Sequence, residues 1–193
     1  MHQPESTPTD KTIEQLIDPT WVAATRTANG IAQHYYRTAS PGSGKPAVVL
    51  LHGFEDQGLS WLRVAQVLAQ TYDVVMLDAR GHGRSAGPEN GFSAALLAAD
   101  VVALIQTLEL HQPALLGHSM GAATAVSVAA NHPQLIRAIL LEDPPMRAMP
   151  VPDRQTNPQY AVWYQSWLDQ MQALKTQSPA ERRATALRFL PGA

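Results

Sequence analysis

A serine between two glycines, at the junction of an apolar strand and a small-residue helix, is the feature that most limits what this chain can form. Residues 117–121 are Gly-His-Ser-Met-Gly. An apolar run precedes them, and the small residues at 122–131, ended by Pro133, favour a helix. A strand-to-helix turn this sharp strains the serine backbone, and the glycines leave space for neighbouring chain. The pattern predicts that Ser119 projects at the carboxyl end of a sheet, where open α/β sheets bind ligands.

The rest of the chain alternates strand patterns with helix patterns. Asn29-Gly30 favours positive φ at both turn positions and predicts a tight hairpin within residues 21–36. Further strands are predicted at 47–51, 72–77, 113–116 and 136–141, and helices at 59–70, 93–110 and 122–131. The runs at 47–51 and 136–141 lack polar alternation, which favours strands covered on both faces. This order predicts an α/β fold: a three-layer sandwich around a mostly parallel sheet.

The composition changes near residue 145. We expect residues 1–145 to form the α/β core and residues 146–193 to begin a helical lid. Aromatic residues recur there at helical spacing: Tyr160, Trp163, Tyr164 and Trp167. A second helix is predicted to start at Ser178, with Pro179 at its first position and Glu181 completing a capping box.

Composition and spacing exclude several classes of function. The 193 residues carry a net charge of −2 with no basic stripe, which argues against nucleic acid as a partner. The absence of cysteine excludes disulfides, thiolate zinc sites and a sulfur nucleophile. No apolar run approaches the ~20 residues of a membrane span, and the polar, proline-containing N-terminal residues do not fit the pattern of a signal peptide, so a cytoplasmic, membrane-free protein is expected. The glycine-rich segments at 42–45 and 81–86 lack the context of nucleotide loops, so no cofactor or metal is expected.

Three further segments, read together with the serine turn, resemble the α/β-hydrolase family over roughly residues 21–145. They are His52-Gly53-Phe54, the segment at 78–85 (Asp-Ala-Arg-Gly-His-Gly-Arg-Ser), and Leu-Glu-Asp-Pro-Pro at 141–145. Serine at the turn is similar to the esterase, lipase, thioesterase and peptidase branches; the dehalogenase and epoxide-hydrolase branches place Asp there. The resemblance implies a Ser119 nucleophile, an acyl-enzyme, a small acyl substrate, and an oxyanion hole formed by the backbone N–H groups of Phe54 and Met120.

The sequence identifies the acid and the histidine of a catalytic triad less clearly than the serine. The resemblance implies the order Ser, then Asp or Glu, then His. Asp143 is a candidate acid, and the single histidine after Ser119 is His132, at the far end of a helix. The earlier histidines, His52, His82 and His118, are interpreted as structural. Asp78 and Arg80 are expected to form an ion pair that ties down their own turn.

These gaps favour a chain that corresponds to the N-terminal portion of a family member and lacks the last two strands. Strand 136–141 would then be an exposed apolar edge, and we expect marginal stability or self-association through it. Three functions stay open: hydrolysis of ester or related acyl bonds, non-catalytic binding of an acyl or hydrophobic ligand, and an interaction module whose open edge pairs with another polypeptide.

Overall fold

A computed structural model describes residues 12–87 and 91–145, together with 169, 173, 176–178 and 180–181. In the first 146 residues, six strands form one sheet in the order β1-β2-β4-β3-β5-β6. The strands are β1 (Val22–Ala28), β2 (Ile31–Arg37), β3 (Ala47–Leu51), β4 (Asp73–Leu77), β5 (Ala114–His118) and β6 (Ala138–Glu142). The α-helices are α1 (Leu62–Leu68), α2 (Ala94–Thr107) and α3 (Met120–Asn131), and short 3-10 helices cover Ile13–Leu16, Gly58–Trp61 and Pro133–Leu135.

The sheet is antiparallel at one side and parallel over the rest. β2 pairs antiparallel with both β1 and β4, whereas β4, β3, β5 and β6 run parallel. The predicted hairpin is confirmed: β1 and β2 meet at Asn29 and Gly30, whose φ angles are 49° and 74°. Because parallel strands end at a common edge, the loops after β3, β4 and β5 meet there.

Helices cover both faces of the sheet, which confirms the three-layer architecture. On one face, buried side chains of β3, β4 and β5, such as Val49, Val75 and Leu115, pack against α2 and α3. On the other face, Leu50 and Met76 pack against the 3-10 turn at Gly58–Trp61 and α1. The core is therefore centred on the parallel strands that carry the serine turn.

Strand β6 departs from the expectation of full burial. Its residues alternate between exposed and half-buried, and Leu140 is 52% exposed. Among the described residues β6 pairs only with β5, and the core cluster that includes α1 contains no residue of β6. The prediction of a strand covered on both faces is wrong. Ile139 and Leu141 pack against the core cluster that includes α3, but no described helix covers the opposite face of β6.

Several helix ends also differ from the sequence prediction. The helix predicted at 59–70 begins as a 3-10 turn and continues as α1. α3 starts two residues early, because Ser119 itself is its N-cap. The predicted cap of α2 is confirmed: Ser93 Oγ accepts a hydrogen bond from the Leu96 N–H at 3.2 Å.

The second unit, from residue 147 onward, is described at only a few positions. The Ser178 N–H donates to Glu181 Oε2 at 2.7 Å, and the Glu181 N–H donates to Ser178 Oγ at 3.4 Å, which confirms the capping box. Hydrogen bonds from Ser178 hold the pKa of Glu181 below its usual value. The aromatic residues at 160–167 lie outside the described residues. Within the described part of the chain, no helix is long and apolar enough to cross a membrane.

Candidate active site

Ser119 stands in a strained backbone conformation at the turn from β5 into α3. Its φ is 49° and its ψ −108°, a region that costs a non-glycine residue roughly 1–3 kcal/mol. Two backbone hydrogen bonds, both 3.0 Å long, hold the residue there: its N–H donates to the Glu142 carbonyl, and its own carbonyl accepts from the Ala123 N–H. The turn is thus anchored to the end of β6 and to the first turn of α3.

Both glycines of the motif are required by close backbone contacts. A Cβ at Gly117 would overlap the carbonyl of Gly121, and a Cβ at Gly121 would overlap the carbonyl oxygen of Leu51. The start of α3 therefore lies directly against the end of β3. This contact brings Met120 close to the loop that leaves β3.

That loop, residues 52–56, contains Phe54 and is shaped by His52. The His52 ring is buried. Its Nδ1 lies 2.7 Å from the Gly53 carbonyl oxygen, and its Nε2 accepts a hydrogen bond from the Ala79 N–H at 3.0 Å. Burial lowers the pKa of His52, which favours the neutral ring. Both of its ring nitrogens bind backbone groups, so His52 organises the loop and has no lone pair for Ser119.

Two other histidines contact the same loop from outside. His82 places Nε2 2.7 Å from the Phe54 carbonyl and Nδ1 2.9 Å from the Arg80 carbonyl. His118 Nδ1 lies 3.6 Å from Asp56 Oδ2, and both side chains are more than a third exposed. Neither His82 nor His118 has a recorded hydrogen bond to Ser119, which fits the structural role expected for them.

The expected ion pair between Asp78 and Arg80 is wrong. Asp78 does tie down its turn, since its carboxylate accepts the N–H of Gly58 at 2.7 Å and of Arg84 at 3.0 Å. Its side-chain partner is the ring of His34, whose Nδ1 lies 2.8 Å from Asp78 Oδ2, and not Arg80. The Arg80 side chain instead turns beneath α2, where its pair partner is Asp100.

The pair between Arg80 and Asp100 is fully buried. Arg80 Nε donates to Asp100 Oδ2 at 2.5 Å, and Nη2 donates to Oδ1 at 2.6 Å. These bonds raise the pKa of Arg80. The sequence analysis missed this pair. The available indication was a single charged residue in the apolar stretch of α2, at a position on the face that packs on the sheet.

Asp143 lies near the turn in the chain, but its role is untested. It follows β6 with a φ of 44°, directly after Glu142, whose carbonyl accepts the Ser119 N–H. Its side chain is exposed, and no hydrogen bond from it to a histidine is recorded among the described residues. His132 caps the opposite end of α3 from Ser119. Asp143 as the acid, and Phe54 and Met120 as oxyanion donors, therefore stay predictions.

Known proteins share this fold. A family model described as the alpha/beta hydrolase fold matches residues 46–190. The chain belongs to the α/β-hydrolase family.

Within residues 12–87 and 91–145 and the few described positions beyond them, no cluster of His, Asp or Glu is arranged to hold a metal ion.

Individual relatives within the family differ in the bond they cleave. The N-formylmaleamate deformylase of Pseudomonas putida is 37% identical over 138 residues, which cover 71% of this chain and 49% of the deformylase. A fluoroacetate dehalogenase of Burkholderia is 37% identical over 107 residues, 53% of this chain and 35% of the dehalogenase. The crystal structure of an N-formylmaleamic acid deformylase of Pseudomonas putida S16 matches with a TM-score of 0.59 and 32% identity, covering 64% of this chain and 47% of that one. This hydrolase-family chain thus spans between about a third and a half of the length of these proteins.

Proposed function

We propose that Ser119 is the nucleophile of a hydrolase that cleaves ester or related acyl bonds through an acyl-enzyme. The observation that carries this proposal is the backbone of Ser119, whose strained φ and ψ place it between the carboxyl end of β5 and the N-terminus of α3. A non-glycine residue is held in such a conformation only when the surrounding structure requires it. Strain of this kind is concentrated at functional sites.

The chemistry proposed for this site is acyl transfer. Ser119 Oγ attacks the substrate carbonyl carbon, and the carbonyl oxygen takes up the negative charge. The N–H groups of Phe54 and Met120 would donate to that oxygen, each contributing on the order of 3 kcal/mol to transition-state stabilisation. The N-terminus of α3 adds a favourable partial positive charge. The tetrahedral intermediate then collapses, the bond to the alcohol or amine breaks, and this leaving group takes up the proton lost by Ser119 Oγ. Water adds to the carbonyl carbon of the acyl-enzyme, the bond to Oγ breaks, and Ser119 regains a proton as the carboxylic acid leaves.

The substrate class is proposed from serine chemistry and from the relatives together. A serine nucleophile acts on an acyl carbon, whereas a dehalogenase must displace halide from an sp³ carbon. The deformylase relative removes a formyl group, according to its name. We therefore include N-acyl amides beside carboxylic esters among the proposed substrates. A panel of short esters and N-formyl amides would separate these two groups of substrates.

The first experiment asks whether Ser119 is activated in this chain. The purified protein is treated with a fluorophosphonate probe, and covalent addition is measured by intact mass. We expect one adduct that is lost in Ser119→Ala and retained in Ser127→Ala, a matched change on the same helix. A protein shown by circular dichroism to be folded but without adduct would contradict catalysis by this chain.

A second candidate function is an interaction module, favoured by the exposed edge of β6. Leu140 is 52% exposed on a strand that pairs on one side only among the described residues. Such an edge is a template for pairing with another strand. We propose self-association through it: light scattering should show a mass that rises with concentration, and Leu140→Lys should abolish that rise. A constant monomer mass for the unaltered protein would refute this second function.

A further inference from the structure

The side-chain amide of Gln33 is buried with half of its hydrogen-bonding capacity unused. Gln33 lies on β2 and is 1% exposed. Its Nε2 donates to the carbonyls of Ala28 and Asp100, both at 3.2 Å. Among the residues that the structure describes, its Oε1 has no hydrogen-bond partner. Buried polar atoms nearly always form a hydrogen bond with protein or with ordered water, so we expect a partner for this oxygen.

The orientation of this amide is fixed by its surroundings. Rotating the amide by half a turn would place Oε1 against the two carbonyl oxygens that now accept from Nε2. Oxygen cannot donate to oxygen here, so the rotated amide would lose both bonds and create repulsion. Oε1 must therefore face away from Ala28 and from the Asp100 carbonyl.

A small cavity of about 20 Å³ lies beside Gln33. A cavity needs roughly 10–15 Å³ measured in this way to hold one water molecule. Its lining includes the polar residues Arg80, Asp100 and Thr124, together with Met120 and Gly121 at the start of α3. Most of the exposed lining is apolar, and purely apolar cavities stay empty, so a water molecule here depends on the few polar groups that line the cavity.

The lining offers both donors and acceptors, which a bound water requires. Arg80 uses one N–H on each nitrogen, for Asp100 and for the Gly91 carbonyl, so the second N–H of each Nη atom is available. Thr124 Oγ1 donates to the Met120 carbonyl at 2.9 Å and keeps its lone pairs as acceptors. An anion is disfavoured by the Asp100 carboxylate, and a cation by the Arg80 guanidinium.

We propose that one ordered water molecule occupies this cavity and donates a hydrogen bond to Gln33 Oε1. A second bond from the Arg80 guanidinium and a third to Thr124 Oγ1 complete its coordination. The water then connects β2, the buried ion pair beneath α2, and the first turn of α3, which begins at the nucleophile turn. This is a structural binding site for water, independent of whether Ser119 is catalytic.

A crystal structure of the unaltered chain at a resolution that shows ordered water tests the proposal directly. We expect a spherical density peak in the cavity within hydrogen-bond distance of Gln33 Oε1. An empty cavity, or a rotated Gln33 amide with Oε1 bonded to protein, would overturn the proposal.

A pair of variants tests whether Gln33 holds the water. In Gln33→Leu the peak should disappear, because its acceptor is gone, while in Gln66→Leu, an exposed glutamine that bonds the Leu16 carbonyl, it should persist. A peak that stays in place in Gln33→Leu would overturn the assignment of Oε1 as its partner. If Gln33→Leu does not fold, nuclear Overhauser contacts between a long-lived water and the Gln33 amide protons of the unaltered protein decide the question. Their presence supports the site, and their absence refutes it.

Discussion

Removing Asp100 alone should destabilise the protein far more than removing Asp100 and Arg80 together. Both side chains are almost fully buried, at 2% and 1% exposure. In Asp100→Leu the guanidinium would remain in the interior with only the Gly91 carbonyl, at 3.2 Å, as a recorded acceptor. Breaking a buried pair by removing one partner costs about 3–5 kcal/mol, because an uncompensated charge is left behind.

The second step replaces the arginine as well. Arg80→Met in the Asp100→Leu background removes the stranded charge and fills the space with an apolar chain of similar length. Buried ion pairs replaced by well-packed apolar residues are often neutral or even stabilising. The double variant should therefore recover most of the lost free energy of unfolding, although Asn29 Nδ2, which donates to Asp100 Oδ1 at 2.7 Å, also loses its acceptor.

Urea unfolding followed by tryptophan fluorescence measures these differences, with thermal melts as a second readout. For a domain of this size, a loss of about 3–5 kcal/mol lowers the melting temperature by roughly 6–20 °C. Asp56→Ala is the matched control, since Asp56 faces His118 across 3.6 Å with more than a third of each side chain exposed. Exposed pairs contribute about 0–1 kcal/mol, so this control should change little. A double variant no more stable than Asp100→Leu would refute the argument that the stranded charge causes the loss.

Three further predictions concern Gly121, His52 and Ser93. Gly121→Ala should lower the free energy of unfolding by about 3 kcal/mol, because the added Cβ would overlap the Leu51 carbonyl. The control Gly87→Ala, which has open space around the added Cβ, should change it by less than about 1 kcal/mol in the same urea assay. Burial lowers the pKa of His52, so below about pH 6.5 the unfolded chain takes up a proton that the folded chain does not. The free energy of unfolding should therefore fall as the pH falls, by at most about 1.4 kcal/mol per pH unit. In His52→Asn this contribution to the pH dependence should be absent, which is measured by comparing urea midpoints at about pH 7.5 and about pH 5.5. Ser93→Ala should cost about 1 kcal/mol through loss of the cap on α2, measured by thermal melting; a loss below about 0.3 kcal/mol would contradict the cap.

The features predicted correctly from the sequence depend on neighbours along the chain. The hairpin at Asn29-Gly30, the cap at Ser93 and the strained turn at Ser119 each follow from backbone preferences within about five residues. The β-strand runs were recognisable because strands covered on both faces have few polar residues. These patterns were sufficient to place the serine turn at the carboxyl edge of the parallel strands.

The features missed from the sequence depend on partners far apart in the chain. Arg80 and Asp100 are 20 residues apart, and His34 and Asp78 are 44 apart. The contact between His34 and Asp78 depends on the strand order, in which β2 lies beside β4, and the pair of Arg80 and Asp100 depends on how α2 packs on the sheet. No local pattern specifies either arrangement. The apolar run at 136–141 favoured burial on both faces, since such a run does not reveal which helices cover it. The expectation of an exposed edge, which the exposure of Leu140 matches, came from the family resemblance and not from the local pattern.

Positioning and activation of Ser119 are physically separable in this chain. The contacts that strain the turn come from Leu51, Glu142 and Ala123, all within the sheet and the first turn of α3. None of these contacts involves a base. The turn can therefore be formed while the hydroxyl keeps its proton and its low nucleophilicity. A folded protein with the Ser119 backbone intact and no fluorophosphonate adduct would show that strain alone does not make the serine reactive, whereas an adduct would show that a base reaches Ser119 from outside these contacts.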